Sequence, residues 1–195
     1  MLYLFSILFF VIIVIILNLL LLVKTMSLTF WGVVFMVLLS VLLVLLIDAL
    51  IAFIVRWVFP KTWFGVSKKI FFVSKEEQRF YERLGIKKWK DKVVELGAFA
   101  GFRKNKILDP TNNEYVERFI VEANYGVVVH FLSCFFGFFV ILFYPKFWFS
   151  IGIPVAIVNA FYNCLSMFIL RYNLPKLHTL YKFNKRREKK IETVA

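Results

Sequence analysis

Residues 28–55 read LTFWGVVFMVLLSVLLVLLIDALIAFIV, and Asp48 is the one charged side chain in this stretch. A helix rises about 1.5 Å per residue, so a run of this length can cross the roughly 30 Å hydrocarbon core of a bilayer. The stretch therefore predicts a transmembrane helix, and the rest of the chain can be interpreted outward from it.

Three further apolar runs flank this one, and they cover Leu2 to Val23, about Gly126 to Phe143, and about Phe149 to Leu170. The whole chain of 195 residues is 61% hydrophobic and has a mean hydropathy of +0.77, far more apolar than a soluble domain. We expect an all-α integral membrane protein with four transmembrane helices. The first run lacks a basic start and a small-residue cleavage site, so we expect a membrane helix there instead of a cleaved signal peptide.

The basic residues predict the orientation of these helices. The chain has 25 Lys and Arg against 12 Asp and Glu. Only Lys24 and Lys146 fall in the two short loops on one side, which leaves 23 for the other. By the positive-inside rule, we expect a multi-pass protein of the cell membrane with both termini and the long central loop in the cytoplasm. The basic residues flank apolar runs, so they favour membrane lipids as partners and make nucleic acid a weaker interpretation.

Hydropathy divides the chain into four segments. Residues 1–55 form a first transmembrane pair, 56–119 a basic and aromatic cytoplasmic segment, 120–174 a second pair, and 175–195 a basic tail. In the second segment, lysines and arginines alternate with aromatic residues, a mixture typical of helices that lie among lipid headgroups. Alternatively, these residues only anchor the loop. The aromatic residues are Phe71, Phe72, Phe80, Tyr81, Trp89, Phe99 and Phe102.

A helix start is predicted near Pro110. Thr111 and Glu114 have the spacing of a capping box, in which the threonine accepts from first-turn amides and the glutamate reaches back. If this helix continues to His130, it enters the membrane with its carboxylates at the membrane surface and the His130 imidazole inside the membrane.

Polar side chains inside the spans suggest a site. Asp48 lies eight residues before Arg56, and Asn163 eight before Arg171, so both lie about 12 Å inside the cytoplasmic boundary. His130 lies at a similar depth, Asn159 is one turn from Asn163, and Asn18 lies toward the opposite side. Ionisable groups in hydrocarbon normally face protein, water or substrate, so we expect a shared polar pocket. The alternative is that these side chains only form hydrogen bonds between helices and have no part in a site.

Several common kinds of site have no sequence support. The chain lacks GxSxG, HExxH, Walker and GxGxxG motifs, and neither histidine begins an HxxxxD acyltransferase pair. Two distant histidines and scattered carboxylates give no metal-ligand spacing, so we expect no metal and no cofactor. Cys134 and Cys164 form no CxxC pair, and we expect both to be packing residues.

Three elements between Phe80 and Leu177 carry a family resemblance. They are Phe80-Tyr81-x4-IKKWKDK, whose last seven residues begin at Ile86, Glu122-x7-His130, and Asn163-x7-RYNLPKL, whose last seven residues begin at Arg171. Together they resemble the glycosyl-4,4'-diaponeurosporenoate acyltransferase family, small membrane proteins whose named member adds a fatty acyl chain to a glucosylated carotenoid. The resemblance covers about half of the chain. The sequence departs from the family at Ala123, Tyr125 and Val127, where the family has Thr, Arg and Glu.

The resemblance implies acyl transfer, in which an acceptor hydroxyl attacks an activated acyl group. His130 would take the hydroxyl proton, because an imidazole exchanges protons near neutral pH, and Glu122 or Asp48 would orient it. We expect acyl-CoA or another acyl donor and a lipid-linked hydroxyl acceptor as substrates; the oligomeric state stays open. Asn163 and Asn173 would donate to the oxyanion, Trp89 would stack on sugar, and Arg171, Lys90 and Lys92 would hold donor phosphates or a headgroup.

Two other classes of function compete with this interpretation. One is a non-enzymatic membrane protein that binds anionic lipid or acts as an assembly subunit. The other is a small transporter, which would need a charged path through both leaflets, and the outer halves of the spans carry little beyond Asn18.

Overall fold

The computed structural model describes residues 2–26, 29–93, 107–143 and 145–194. The described residues form helices and turns without a strand. The α-helices are α1 (Leu2–Met26), α2 (Phe30–Val58), α3 (Lys75–Arg83), α4 (Ile86–Trp89), α5 (Asn113–Phe136) and α6 (Ile153–Val194). Short 3-10 turns link α2 to α3 and follow α5 at Gly137–Phe143, and a π-helical turn, Trp148–Gly152, precedes α6. The prediction of an all-α fold is confirmed.

Within the described residues, three helical stretches are long and apolar enough to cross a membrane. They are Phe30–Val58, Asn113–Phe143 and Trp148–Lys190, which correspond to the second, third and fourth predicted spans. The first predicted span corresponds to α1, which has 25 residues and includes the shorter apolar helix Phe5–Leu20. Its role as a fourth span stays a prediction.

The chain folds into two compact units. The first contains Met1–Ile54 and Val129–Leu165, and the second contains Val55–Val128 and Ser166–Ala195. The first, called the apolar unit below, contains two of the 25 Lys and Arg residues of the chain; the second, called the basic unit, contains the other 23. The boundaries fall inside α2, α5 and α6, so each of these helices contributes to both units. The four hydropathy segments divide the chain differently.

The apolar unit has a narrow core and an apolar exterior. Its buried cluster consists mostly of valines, including Val14, Val37 and Val140. Large side chains such as Phe35 and Phe149 are 65% and 72% exposed. Small residues inside and large apolar residues outside are expected where lipid is the surrounding solvent.

Polar contacts attach α1 to the rest of the apolar unit. The Asn18 Nδ2 atom donates to the carbonyl oxygens of Val14 and Ser150, 2.7 Å away in both cases. Ser150 lies in the π-helical turn, where the normal helical bonding is shifted. At the other end of α1, the Tyr162 hydroxyl donates to Ser6 Oγ at 2.7 Å. Asn18 is therefore a structural residue, consistent with its omission from the predicted pocket.

The core of the basic unit is aromatic. The Phe64 ring stacks on Tyr125, with 3.9 Å between centroids, and the Phe64 carbonyl accepts from Asn124 Nδ2 at 2.8 Å. Phe71 and Tyr81 are also buried. The prediction that these two lie among headgroups is therefore wrong, because each has a protein neighbour instead, Phe64 for Phe71 and Phe168 for Tyr81.

The remaining aromatic residues of the predicted interfacial segment differ from this pair. Phe72 and Phe80 are about half exposed, at 49% and 48%, and they remain candidates for membrane contact. Phe99 and Phe102 lie outside the described residues.

The predicted start of α5 is correct to within two residues, but the capping residue was wrong. Asn112 caps the helix, because its Oδ1 accepts from Tyr115 N at 3.0 Å and its carbonyl accepts from Val116 N at 3.1 Å. The Thr111 hydroxyl donates to Asp109 instead. From this start α5 runs without interruption through Glu122 to His130, as predicted.

Candidate active site

Hydrogen bonds connect His130 to Asp48 through Asn163. His130 Nδ1 lies 2.8 Å from Asn163 Oδ1, and Asn163 Nδ2 donates to Asp48 Oδ2 at 3.0 Å. Asn159 Nδ2 donates to the other carboxylate oxygen of Asp48 at 3.3 Å. These four side chains, called the polar cluster below, come from α2, α5 and α6 and belong to the apolar unit. The structure thus brings together three of the predicted catalytic residues.

The polar cluster determines which tautomer His130 adopts. Among the described residues, the hydrogen-bond partners of Asn163 Nδ2 are all acceptors, namely Asp48 Oδ2, the Asn159 carbonyl at 3.1 Å and Asn159 Oδ1 at 3.3 Å. The amide oxygen of Asn163 must then face His130 and act as the acceptor. His130 Nδ1 therefore carries hydrogen, and the lone pair of the neutral ring lies on Nε2. That is the atom a general base would use.

Local sequence places the two asparagines. Asn159 and Asn163 are four residues apart on α6 and so share one helix face. Gly137, directly after the end of α5, provides the space for Asn159, because a Cβ added there would lie 2.5 Å from Asn159 Nδ2. A glycine at this position allows the amide to reach Asp48.

The same bonds also hold three helices together. Interhelical hydrogen bonds in membranes contribute roughly 0.6–2 kcal/mol each, so the polar cluster stabilises the apolar unit whatever its chemistry. Of its members, His130 is the side chain suited to proton transfer at neutral pH.

Glu122, the other predicted orienting residue, has a different partner. It forms an ion pair with Arg56, whose guanidinium also lies 5.5 Å from the centre of the Tyr125 ring. Glu122 precedes His130 by eight residues on α5, about 12 Å along the helix. The hydrogen-bond chain described above reaches Asp48 and not Glu122.

Arg171 forms an ion pair with Glu77 of α3 within the basic unit. Arg171 Nη2 donates to Glu77 Oε2 at 2.7 Å, and Nε donates to Oε1. Tyr81 also donates to Glu77 Oε1, at 2.5 Å. The hydrogen bond from Arg171 lowers the pKa of Glu77 below its ordinary value of 4.5. Ser74 caps α3 by accepting from Glu77 N at 3.1 Å, which fixes this carboxylate near the helix start.

The other predicted binding residues lie in the basic unit. Lys90 and Asn173 line an open groove of about 400 Å³. Trp89 donates its indole N–H to the Leu84 carbonyl at 3.1 Å, and Lys92 is exposed. The roles proposed for these residues and for Arg171 stay predictions.

Sequence reasoning missed one close pair. Cys134 and Cys164 are free thiols whose Sγ atoms lie 3.4 Å apart in the apolar unit. A signal was present, because Cys134 follows His130 by four residues on α5 and Cys164 directly follows Asn163 on α6. Lys176, which also lines the groove, was not predicted to be a binding residue. Within the described residues, no three His, Cys, Asp or Glu side chains form a group that could hold a metal ion.

Comparison with known proteins identifies a family. Residues 60–183, more than half of the chain, match the model of the glycosyl-4,4'-diaponeurosporenoate acyltransferase (CrtO) family. The matched region contains His130 and Asn163, whereas Asp48 lies outside it. No curated protein and no solved structure matches the chain. On the length of the family match, the chain belongs to the glycosyl-4,4'-diaponeurosporenoate acyltransferase family.

Proposed function

We propose that the protein is a membrane acyltransferase that moves a fatty acyl chain onto a hydroxyl of a lipid-linked acceptor, a glycosyl carotenoid or glycolipid, at the cytoplasmic leaflet. Family membership supports the reaction class. The observation that carries the mechanism is the bond between His130 Nδ1 and Asn163 Oδ1, which directs the lone pair of the neutral ring to Nε2.

In the proposed reaction, His130 Nε2 takes the proton of the acceptor hydroxyl as its oxygen attacks the acyl carbonyl carbon. The tetrahedral intermediate then collapses, the bond to the leaving group breaks, and the imidazolium returns the proton to that group. For an acyl-CoA donor the leaving group is the thiolate of coenzyme A. General base catalysis of this kind typically contributes about 10²–10⁴ in rate.

Asn163 and Asp48 are positioning residues in this mechanism. Asn163 accepts from His130 Nδ1 and holds the ring in one tautomer, and Asp48 and Asn159 fix the orientation of the Asn163 amide. Because the amide hydrogens of Asn163 are directed at Asp48 and Asn159, we assign Asn163 to orientation of the base instead of to the oxyanion.

The proposed membrane placement has two supports. Almost all basic residues belong to one unit, 23 of 25, which favours the cytoplasmic side for that unit. The 25 residues of α1 correspond to roughly 38 Å of helix, enough for a fourth crossing, which returns both termini to the same side.

Lipid profiling tests the proposal. The gene would be expressed in bacterial cells that make a glycosylated carotenoid and glycolipids, and lipid extracts would be compared by mass spectrometry with those from cells carrying an empty vector or His130→Gln. We expect one lipid class to gain a fatty acyl group with the wild-type chain only. Identical lipid profiles in all three strains, with the protein present in the membrane, would favour the non-enzymatic alternative.

A further inference from the structure

The groove in the basic unit combines an apolar wall with two cationic groups. Its apolar lining is Ile107, Phe119, Ala123, Leu170 and Leu177, and its polar lining is Lys90, Asp91, Asn173 and Lys176. A volume of about 400 Å³ is within the range of small-molecule sites. An apolar wall next to ammonium groups suits a ligand that is apolar along one part and anionic at another.

One buried ring brings the two lysines together. The Nζ atoms of Lys90 and Lys176 lie 6.0 and 5.2 Å from the centre of the Tyr172 ring. Tyr172 is only 3% exposed, so its ring is a fixed platform. Cation–π contacts of this length are attractive, but they gather two like charges in a small volume.

Neither lysine forms an ion pair with a described residue, although Glu82 attracts Lys176 at longer range. Among these residues, neither ammonium group has a carboxylate within 4.0 Å, although Asp91 shares the groove. The neighbouring Lys87 differs, because it pairs with Glu82 at 2.9 Å. A bound anion would offset the repulsion between Lys90 and Lys176.

Asn173 adds a hydrogen-bonding group to the same wall. Its side chain is half-buried and forms no hydrogen bond with a described residue. Two ammonium groups and an amide make a site for phosphate oxygens, which lysine binds as a point charge. Arg171 is less suited to this role, because Glu77 already occupies its guanidinium.

We propose that this groove binds a phosphate-bearing acylated amphiphile, with Lys90, Lys176 and Asn173 on the phosphate and Leu170, Leu177 and Phe119 along the apolar part. Two sources share this chemistry, a long-chain acyl-CoA and an anionic phospholipid. The identification of the ligand as the acyl donor rests on the proposed function. Binding of the ligand to the groove does not depend on catalysis.

Equilibrium binding to the full-length protein in phosphatidylcholine nanodiscs tests the inference, with myristoyl-CoA as the probe. The test variant is Lys90→Gln/Lys176→Gln. The matched control is Lys189→Gln/Lys190→Gln, which removes the same charge from the exposed end of α6. We expect the test variant to bind at least tenfold more weakly and the control to stay within twofold of the wild type. A second arm adds phosphatidylglycerol to the nanodiscs, and loss of the probe in wild type alone would identify the phospholipid as the ligand.

A third variant separates this inference from the proposed function. His130→Gln protein should bind myristoyl-CoA as the wild type does, even if it cannot transfer an acyl group. Equal affinities of the lysine test variant and its control for myristoyl-CoA, together with equal displacement by phosphatidylglycerol, would overturn the inference and leave the proposed role of His130 intact.

Discussion

Asn163 is the residue on which the proposed chemistry depends besides the base itself. Its side-chain amide contacts His130 at 2.8 Å and Asp48 at 3.0 Å. This one amide therefore sets the tautomer of His130 and connects His130 to Asp48. A leucine at this position would keep the branching of the side-chain heavy atoms and remove both bonds.

Asn163→Leu should therefore lower kcat at least tenfold with little change in KM, since His130 would lose its fixed tautomer while substrate contacts persist. Steady-state kinetics on detergent-purified protein would measure the split. The control Cys164→Ala changes the neighbouring position on α6 and should keep most of the activity. A rise in KM with an unchanged kcat would show that Asn163 binds substrate instead.

Gly137 gives a second prediction at the residue scale. Alanine at this position would place its Cβ 2.5 Å from Asn159 Nδ2, so the amide must move and release Asp48. We expect Gly137→Ala to reduce activity at least tenfold and to lower the thermal midpoint only slightly, because the variant loses a single interhelical hydrogen bond. Gly65→Ala is the control, since its Cβ would meet its nearest neighbour at an ordinary 3.6 Å. Full activity of Gly137→Ala would mean that the contact between Asn159 and Asp48 is dispensable.

Among the elements, α3 is attached to α6 by the ion pair between Glu77 and Arg171. The lowered pKa of Glu77 means that this pair stabilises the fold above the unfolded value near 4.5 and that the contribution is lost as the pH falls through the folded value. The thermal midpoint of Glu77→Gln should thus lie below that of the wild type at neutral pH, and the difference should shrink as the solution is acidified. A difference that is constant with pH would contradict this account.

Arg171→Ala tests whether the same arginine also binds a donor phosphate. A purely structural role predicts a lower thermal midpoint with an unchanged KM for the donor, as with Glu77→Gln. If Arg171 also binds the donor, Arg171→Ala should in addition raise the KM for the donor, whereas Glu77→Gln should not. Arg79→Ala, an exposed position on α3, is the control for lost positive charge.

The packing of α5 against α6 in the apolar unit can be tested through the two thiols. Their Sγ atoms are 3.4 Å apart, so a small approach allows a disulfide bond of about 2.05 Å. Oxidation by copper phenanthroline, which accepts the two electrons, should yield protein that is two hydrogens lighter and lacks free thiols, and Cys134→Ala should block this change. Thiols that both stay reactive to maleimide after oxidation would contradict the described pairing.

The sequence predicts the long elements well and the short ones poorly. Apolar runs suffice to find α2, α5 and α6, because a membrane helix satisfies its own backbone and needs no distant partner. Depth along those helices predicts that Asp48, His130 and Asn163 come together. The burial of Tyr81 could not be foreseen, because it depends on Phe168, which is far away in sequence. Phe71 packs on Phe64, which is near in sequence, but Phe64 is itself held by the distant Tyr125. Thr111 was predicted to cap α5, but Asn112 does so. The sequence cannot separate the two, because they are adjacent and both side chains can accept a hydrogen bond from the first turn.

For the whole molecule, the uneven distribution of charge predicts the membrane topology. A cysteine at position 68 should be protected from an impermeant maleimide in intact cells, one at position 146 should be labelled, and a reporter at the N-terminus should be cytoplasmic. The background would carry alanine at Cys134 and Cys164. An N-terminus on the outside together with a cytoplasmic C-terminus would show three crossings and exclude α1 as a fourth.

The turnover of purified His130→Gln protein tests the central claim most directly. Glutamine keeps hydrogen-bonding capacity at this position but cannot exchange a proton at neutral pH. Measured in the same nanodiscs with the donor and acceptor that the wild type uses, kcat should fall by about 10²–10⁴ while the thermal midpoint changes little. If His130→Gln turns over at a near-normal rate, His130 is not the base and the proposed mechanism is wrong.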